Sequence, residues 1–302
     1  MSRIVSLIAS ATEIVHALGE LDHLVGRSHE CDYPPAVASL PVCTEPRIAV
    51  DGDSSEIDRL VRESMRDAIS VYRVFDDVLE RLQPTHIITQ VQCEVCAVSL
   101  RDVEQSVARR LASAPQIVPL NPNSLADIWD DIRRVARALE IVDRGETVIA
   151  GLQQSMRDIA GRAQAQPERP RVACIEWLEP LMPAGLWTPE LVQMAGGMPS
   201  SADQDPDVII AMPCGFDLRR TEPEMHWLAD RPGWHELRAV RNRQVYMADG
   251  NRYFNRPGPS VVESLRILAE ILHPALRVAY TESCESDSAS SFRWRSWPPA
   301  LP

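Results

Sequence analysis

Apolar residues recur along this chain with two periods, and the alternation between them outlines a fold. From Leu125 the positions Leu125, Ile128, Ile132, Val135, Ala136 and Leu139 form the i, i+3, i+4, i+7 stripe of a helix buried on one side. Asn123 or Ser124 can cap it. A second run, Val148, Ile149, Leu152, Met156, Ile159, Ala160 and Ala163, resumes the period after Asp143-Arg144-Gly145, so Gly145 is expected to mark a break or kink. Residues 144–165 alone would span roughly 33 Å as a helix. The stretch 124–166 therefore reads as a connecting backbone helix between an N-terminal lobe (1–123) and a C-terminal lobe (167–274). The other reading is two ordinary core helices within one continuous domain.

On either side of that stretch, short buried runs alternate with helical periods. Strands are expected at 3–8, 24–27, 85–89 and 116–119 in the first lobe, and at 171–176, 207–212 and 244–248 in the second. This order predicts an α/β fold of two Rossmann-like lobes, each with a parallel sheet covered by helices. From about Ala275 the period is lost, and 283–302 is rich in Ser and Pro, so 275–302 is expected to be a disordered tail.

Each unusual loop follows a predicted strand: 10–13, 29–33, 90–96, 177–187, 213–216 and 253–259. In open α/β sheets the ligand edge lies at strand carboxyl ends, so these loops are expected to line a cleft between the lobes. They hold Tyr33, Trp177, Trp187, Phe216, Tyr253 and Phe254, six of the sixteen aromatic residues. Such a concentration points to a large flat ligand held by stacking. Alternatively, each ring staples its loop to its own lobe.

Composition narrows the classes. Hydrophobic content of 45% is that of a globular chain, and no apolar run approaches the ~18 residues of a membrane span. The N-terminus, Met-Ser-Arg-Ile-Val-Ser-Leu-Ile, enters a strand directly, so the expected location is the cytoplasm, or the periplasm if an export signal was removed. With 31 basic and 43 acidic residues the net charge is −12, which repels phosphate backbones and excludes nucleic acid as partner. Asp51-Gly52-Asp53-Ser54-Ser55-Glu56 lacks calcium-loop spacing and reads as a helix cap.

Seven cysteines, an odd number in a chain of this size, suggest reduced thiols or a metal site over a disulfide framework. Cys93-Glu94-Val95-Cys96 places two sulfurs at a spacing suited to zinc or an iron–sulfur cluster, with Cys214 plus Cys31 or His29 to complete four ligands. Buried reduced cysteines and a thiol-redox role are the other readings. Catalysis finds no support: there is no Gly-x-Ser-x-Gly elbow, no phosphate loop and no His-Glu-x-x-His.

Several blocks together resemble one family: His29-Glu30-Cys31-Asp32-Tyr33-Pro34-Pro35; Trp177-Leu178-Glu179-Pro180; Gly185-Leu186-Trp187-Thr188-Pro189-Glu190 through Ala195-Gly196-Gly197; Pro213-Cys214-Gly215-Phe216; and Tyr253-Phe254-Asn255-Arg256-Pro257-Gly258-Pro259. The chain resembles the vitamin B12 (cobalamin) binding proteins among the class III, helical-backbone substrate-binding proteins of ATP-driven importers, in a branch often lacking an export signal. The resemblance implies a non-catalytic protein holding a corrinoid or similar metal chelate between two lobes, and the helical connector predicts little closure on binding. It implies contacts from Glu30, Gln90, Trp177, Trp187, Tyr253 and Phe254, and His29 is an option for ligating cobalt. It further implies that acidic residues dock a membrane permease; Glu56 stands where the first would be. The short segment 198–206 replaces a longer helical one in relatives, which removes the second docking position and part of the cleft wall. The rival classes are a metal or iron–sulfur protein built on Cys93, Cys96 and Cys214, and a corrinoid-processing enzyme using Glu30 or Glu176 as acid or base.

Overall fold

In the computed structural model, which describes residues 2–66, 70–91, 100–110, 114–277 and 293–298, the buried runs become strands whose ends shift from the expected bounds by up to two residues. The first half of the chain builds β1 (Ile4–Ser6), α1 (Ala9–Ala17), β2 (Leu24–Arg27), β3 (Thr44–Pro46), α2 (Ser54–Arg66), β4 (Tyr72–Val74), α3 (Asp76–Leu82), β5 (His86–Gln90), α4 (Leu100–Arg110), β6 (Gln116–Leu120) and α5 (Leu125–Ala138). After α6 (Val142–Gln164) come β7 (Arg171–Trp177), β8 (Met182–Pro183), α7 (Thr188–Met194), β9 (Met198–Pro199), β10 (Val208–Ala211), α8 (Leu218–Glu224), α9 (His226–Ala229), α10 (Arg238–Arg241), β11 (Val245–Ala248), α11 (Val261–Leu272) and β12 (Trp294–Ser296). The chain divides into two units: Met1–Gly151 with Pro257–Pro259, and Leu152–Arg256 with Ser260–Pro302. The division falls inside α6.

Unit 1 carries a parallel sheet in the order β2-β1-β5-β6. Val5, Leu7, Leu79, Ile87 and Val103 form its core on one side. The antiparallel pair β3–β4 was not visible in the sequence, since each strand is only three residues long. Unit 2 carries a sheet in the order β12-β11-β10-β7-β8, with β9 also paired to β7. Its three central strands are parallel and wholly apolar through Val172–Ile175 and Ile209–Ala211, as strands covered on both faces require.

Two expectations are corrected here. The helical stretch breaks at Glu140, whose φ is +60°, and not at Gly145. Gly145 lies inside α6, where an added Cβ would come within 2.5 Å of the Ala136 Cβ. It is a close-approach site between α5 and α6, reinforced by the Arg133–Glu146 pair at 2.8 Å. Ser124 is the residue that caps α5, accepting the Asp127 N–H. Second, part of the expected tail is ordered: β12 pairs antiparallel with β11. A six-residue piece of low hydrophobic period is held there by its two tryptophans and two arginines, contacts that periodicity does not register.

Candidate functional site

At the carboxyl end of unit 1's sheet, the segment expected as a loop over 10–13 is already helix, because α1 begins at Ala9. Its residues turn inward. The Ser6 hydroxyl donates to Ile8 O (2.9 Å), and Thr12 Oγ1 donates to Ser6 Oγ (2.8 Å). With Thr12's single proton committed, the Cys31 thiol at 3.0 Å becomes the donor to Thr12. Burial pushes that thiol's pKa up, which keeps it protonated and suited to donate. Cys31 is 1% exposed, so its sulfur belongs to this buried chain of polar groups.

His29 is differently placed. Its backbone N–H and Nδ1 both engage Thr44 Oγ1, at 3.2 and 2.9 Å, and its ring lies 5.4 Å from that of Tyr72. Burial first, then the nearby Arg27 charge, lower its pKa, with Glu45 opposing. The imidazole is therefore neutral at pH 7. Nε2, 3.9 Å from Glu30 Oε1 and beyond hydrogen-bonding reach, is the nitrogen Thr44 does not use. Tyr33 is half-buried, edge-on to His16 at 6.0 Å. Gln90 closes β5 and is 4% exposed. Cys93 and Cys96 lie outside the described residues. Glu56 is exposed in the first turn of α2, where its own N–H is capped by Asp53.

At the carboxyl end of unit 2's sheet the groups are rings and guanidiniums. The Trp177 ring meets that of Phe216 at 5.4 Å and 59°, and Trp177 Nε1 donates to Glu179 O at 3.1 Å. The Arg220 guanidinium covers Phe216 from 4.0 Å. Tyr253 stands in a π-turn, Gly250–Phe254, opened by Asp249, whose carboxylate accepts the Arg252 N–H at 2.8 Å. Burial raises the Tyr253 phenol, and Arg252 lies 5.3 Å over its ring. Trp177 and Tyr253 keep part of their ring surface open. Phe216, Phe254 and Trp187, also expected as ligand contacts, are 2, 3 and 6% exposed, so their rings pack into the interior in this structure. The Trp187 Nε1 finds no partner among the described residues.

Glu176 is a half-buried carboxyl with its pKa raised by partial burial, accepting a long hydrogen bond (3.4 Å) from the Gly185 amide, which holds the 177–187 loop. Cys214 is half-buried and donates its backbone N–H to Glu176 O at 3.0 Å. Among the described residues no group of three His, Cys, Asp or Glu side chains could hold a metal ion. Cys43 and Cys174 are buried thiols pushed up to about 12. Sequence reasoning missed Arg220 and Arg252; an arginine four residues after, or directly before, a loop aromatic was the available signal.

Among the described residues no helix is long and apolar enough to cross a membrane. No protein-family model and no curated protein matches the chain. Solved structures do. A periplasmic heme-binding protein, RhuT, from Roseiflexus sp. RS-1 is similar at 23% identity and TM-score 0.68, over 91% of this chain and 99% of that one. The periplasmic vitamin B12 binding protein BtuF of Vibrio cholerae is similar at 21% and 0.62, over 91% and 98%. An ABC-type Fe3+-hydroxamate transport protein from Saccharomonospora viridis DSM 43017 is similar at 18% and 0.61, over 90% and 93%. Each is named for the metal chelate it binds or transports, and the first two are periplasmic, so they lend no support to a cytoplasmic location. At these identities the likeness is one of fold, and the chain has the α/β fold of the helical-backbone solute-binding proteins.

Proposed function

We propose that this chain is a non-catalytic binding protein for a large metal chelate, with cobalamin as the first ligand to test and a permease as its partner. The observation that carries the reading is the chemistry just past the strand carboxyl ends: half-exposed His29, Glu30 and Tyr33 in unit 1, half-exposed Trp177 and Tyr253 in unit 2. Rings of this kind cover a macrocycle, while carboxylate and amide groups meet its polar arms. Gln90, Cys31, Trp187, Phe216 and Phe254 are buried near the same strand ends, and Phe216 backs the Trp177 ring. His29 Nε2, on a neutral imidazole, is the group suited to a chelated cobalt or iron. Support for a chelate comes from the neighbours, which bind heme, vitamin B12 or ferric hydroxamate; support for cobalamin comes from the sequence blocks alone. Glu56 is the residue proposed to dock the permease.

The test is a set of titrations of the purified chain with cyanocobalamin, hemin and a ferric hydroxamate, followed by absorbance and calorimetry. Saturable binding of cobalamin is expected, weakened roughly tenfold by Trp177→Ala and by Tyr253→Ala. A Soret shift with hemin abolished by His29→Ala, together with no cobalamin binding, would move the ligand to heme. Silence from all three chelates ends the proposal.

A further inference from the structure

The two ends of β12 meet different parts of unit 2. At the amino end of β11, Trp297 N donates to Val245 O at 2.8 Å, and the Trp297 ring lies 6.2 Å from that of Trp234 in the core. At the carboxyl end, Arg293 O accepts the Asp249 N–H at 3.0 Å. The Arg293 guanidinium reaches α11, pairing with Glu263 at 2.9 Å and Glu270 at 2.7 Å, and Trp294 Nε1 donates to the other Glu270 oxygen at 3.0 Å. Glu270 is 4% exposed, so its charge depends on both donors.

Asp249 is the residue that opens the π-turn carrying Tyr253. The far side of that turn is also tied to α11, since the Ser264 hydroxyl donates to Tyr253 O. Arg252 Nη1 donates to Ser260 Oγ at 2.8 Å, just before α11 begins. Arg293 thus supplies the anchor on the strand side of the turn: its carbonyl holds the Asp249 amide while its guanidinium is locked to α11. Charge-assisted bonds of this kind are short and directional, and they fix a loop more firmly than apolar contact does.

We infer that Arg293 is a positioning residue for Tyr253, holding the Gly250–Phe254 turn against α11 in the shape that presents the ring to ligand. The inference rests on the proposed chelate site for its functional part, while its first readout needs no ligand.

Amide hydrogen exchange over 249–255 is measured on the full-length, ligand-free chain and on Arg293→Ala, Arg293→Lys and Trp297→Ala, with cyanocobalamin and hemin titrations of each. Arg293→Ala is expected to speed exchange in the turn about tenfold and to weaken chelate binding by a similar factor. Arg293→Lys recovers most of both. Trp297→Ala, at the other end of the same strand, lowers Tm further yet leaves turn exchange and affinity unchanged. Because Arg293→Ala leaves Glu270 buried without its arginine, Glu263→Gln serves as the milder variant, with a smaller change in the same direction. Unchanged exchange in both Arg293→Ala and Glu263→Gln overturns the inference, as does an equal change in Trp297→Ala. Faster exchange combined with full affinity in Tyr253→Ala leaves the anchor standing and defeats the chelate reading at this turn.

Discussion

Beyond β1 and β2 in unit 1, the interior is a relay of small polar groups, Ser6, Thr12 and Cys31, joined by hydrogen bonds of 2.8 and 3.0 Å. Beyond β7, β10 and β11 in unit 2 the same topological position holds Trp177, Phe216 and Tyr253 with arginines laid over two of the rings. Both edges arise from parallel strands feeding short turns, yet in the first the groups next to β1 are small and bonded to one another, leaving outward reach to His29, Glu30 and Tyr33 after β2. The second is built from side chains large enough to reach outward. The difference teaches that strand order locates an edge, whereas side-chain size and pairing decide what the edge offers to a ligand.

Four experiments sharpen or break that comparison. The largest effect is expected in unit 2 at Gly250, where an added Cβ would lie 2.1 Å from Pro213 O and 2.6 Å from Met212 O, both rigid backbone. Gly250→Ala should cost about 3 kcal/mol in urea unfolding; a cost below about 1 kcal/mol would show that the aromatic edge tolerates backbone movement.

Next come opposite pH dependences. In unit 1, Asp131 accepts the Asn121 N–H at 3.0 Å and pairs with Arg134, yet burial pushes its carboxyl up to about 6 from the usual 3.8. The folded chain then binds more protons than the unfolded one between those values, so this contribution to stability is full below pH 3.8 and falls as pH rises to about 6. The decline is roughly 3 kcal/mol, and Asp131→Asn should flatten it. In unit 2, buried His273 donates from Nε2 to Ala195 O at 2.9 Å, and burial lowers its pKa below 6.5. Its contribution runs the other way, present above pH 6.5 and lost as pH falls through the lowered value, and His273→Gln should remove that loss. Unfolding at pH 4, 5 and 7, read by hydrogen exchange in each unit, checks both signs.

Trp177→Ala should weaken chelate binding about tenfold while lowering Tm less than loss of a fully buried ring would, because Trp177 is only partly buried. The smallest effect is expected from Thr12→Val, about 1 kcal/mol from the broken relay to Ser6 and Cys31, with chelate affinity intact. If Thr12→Val weakens binding as much as Trp177→Ala does, the contrast between a closed polar edge and an open aromatic one is wrong.

Much of the fold was legible because it rests on burial. The seven expected strands are all present within a few residues, since apolar runs such as Val172–Ile175 sit on covered strands wherever they occur. The short pairs β3–β4 and β8, β9 and β12 were not, because two or three residues carry no period. Ring-bearing loops were also found at the strand ends, but their exposure was not: Phe216 and Tyr253 are alike on paper, and one is interior while the other is partly open.

What the sequence determined by itself was the alternation of strand and helix, the long helical stretch and the loops where chemistry could gather, because hydrophobic periodicity is a local property of the chain. Only the tertiary structure decided that Gly145 is a contact point and Glu140 the break, that Cys31 donates inward to Thr12, and that Arg293 reaches back to secure the turn of Tyr253. Each of these depends on which residues distant in sequence come within a few ångströms, and hydrogen bonds and close approach act only over that range.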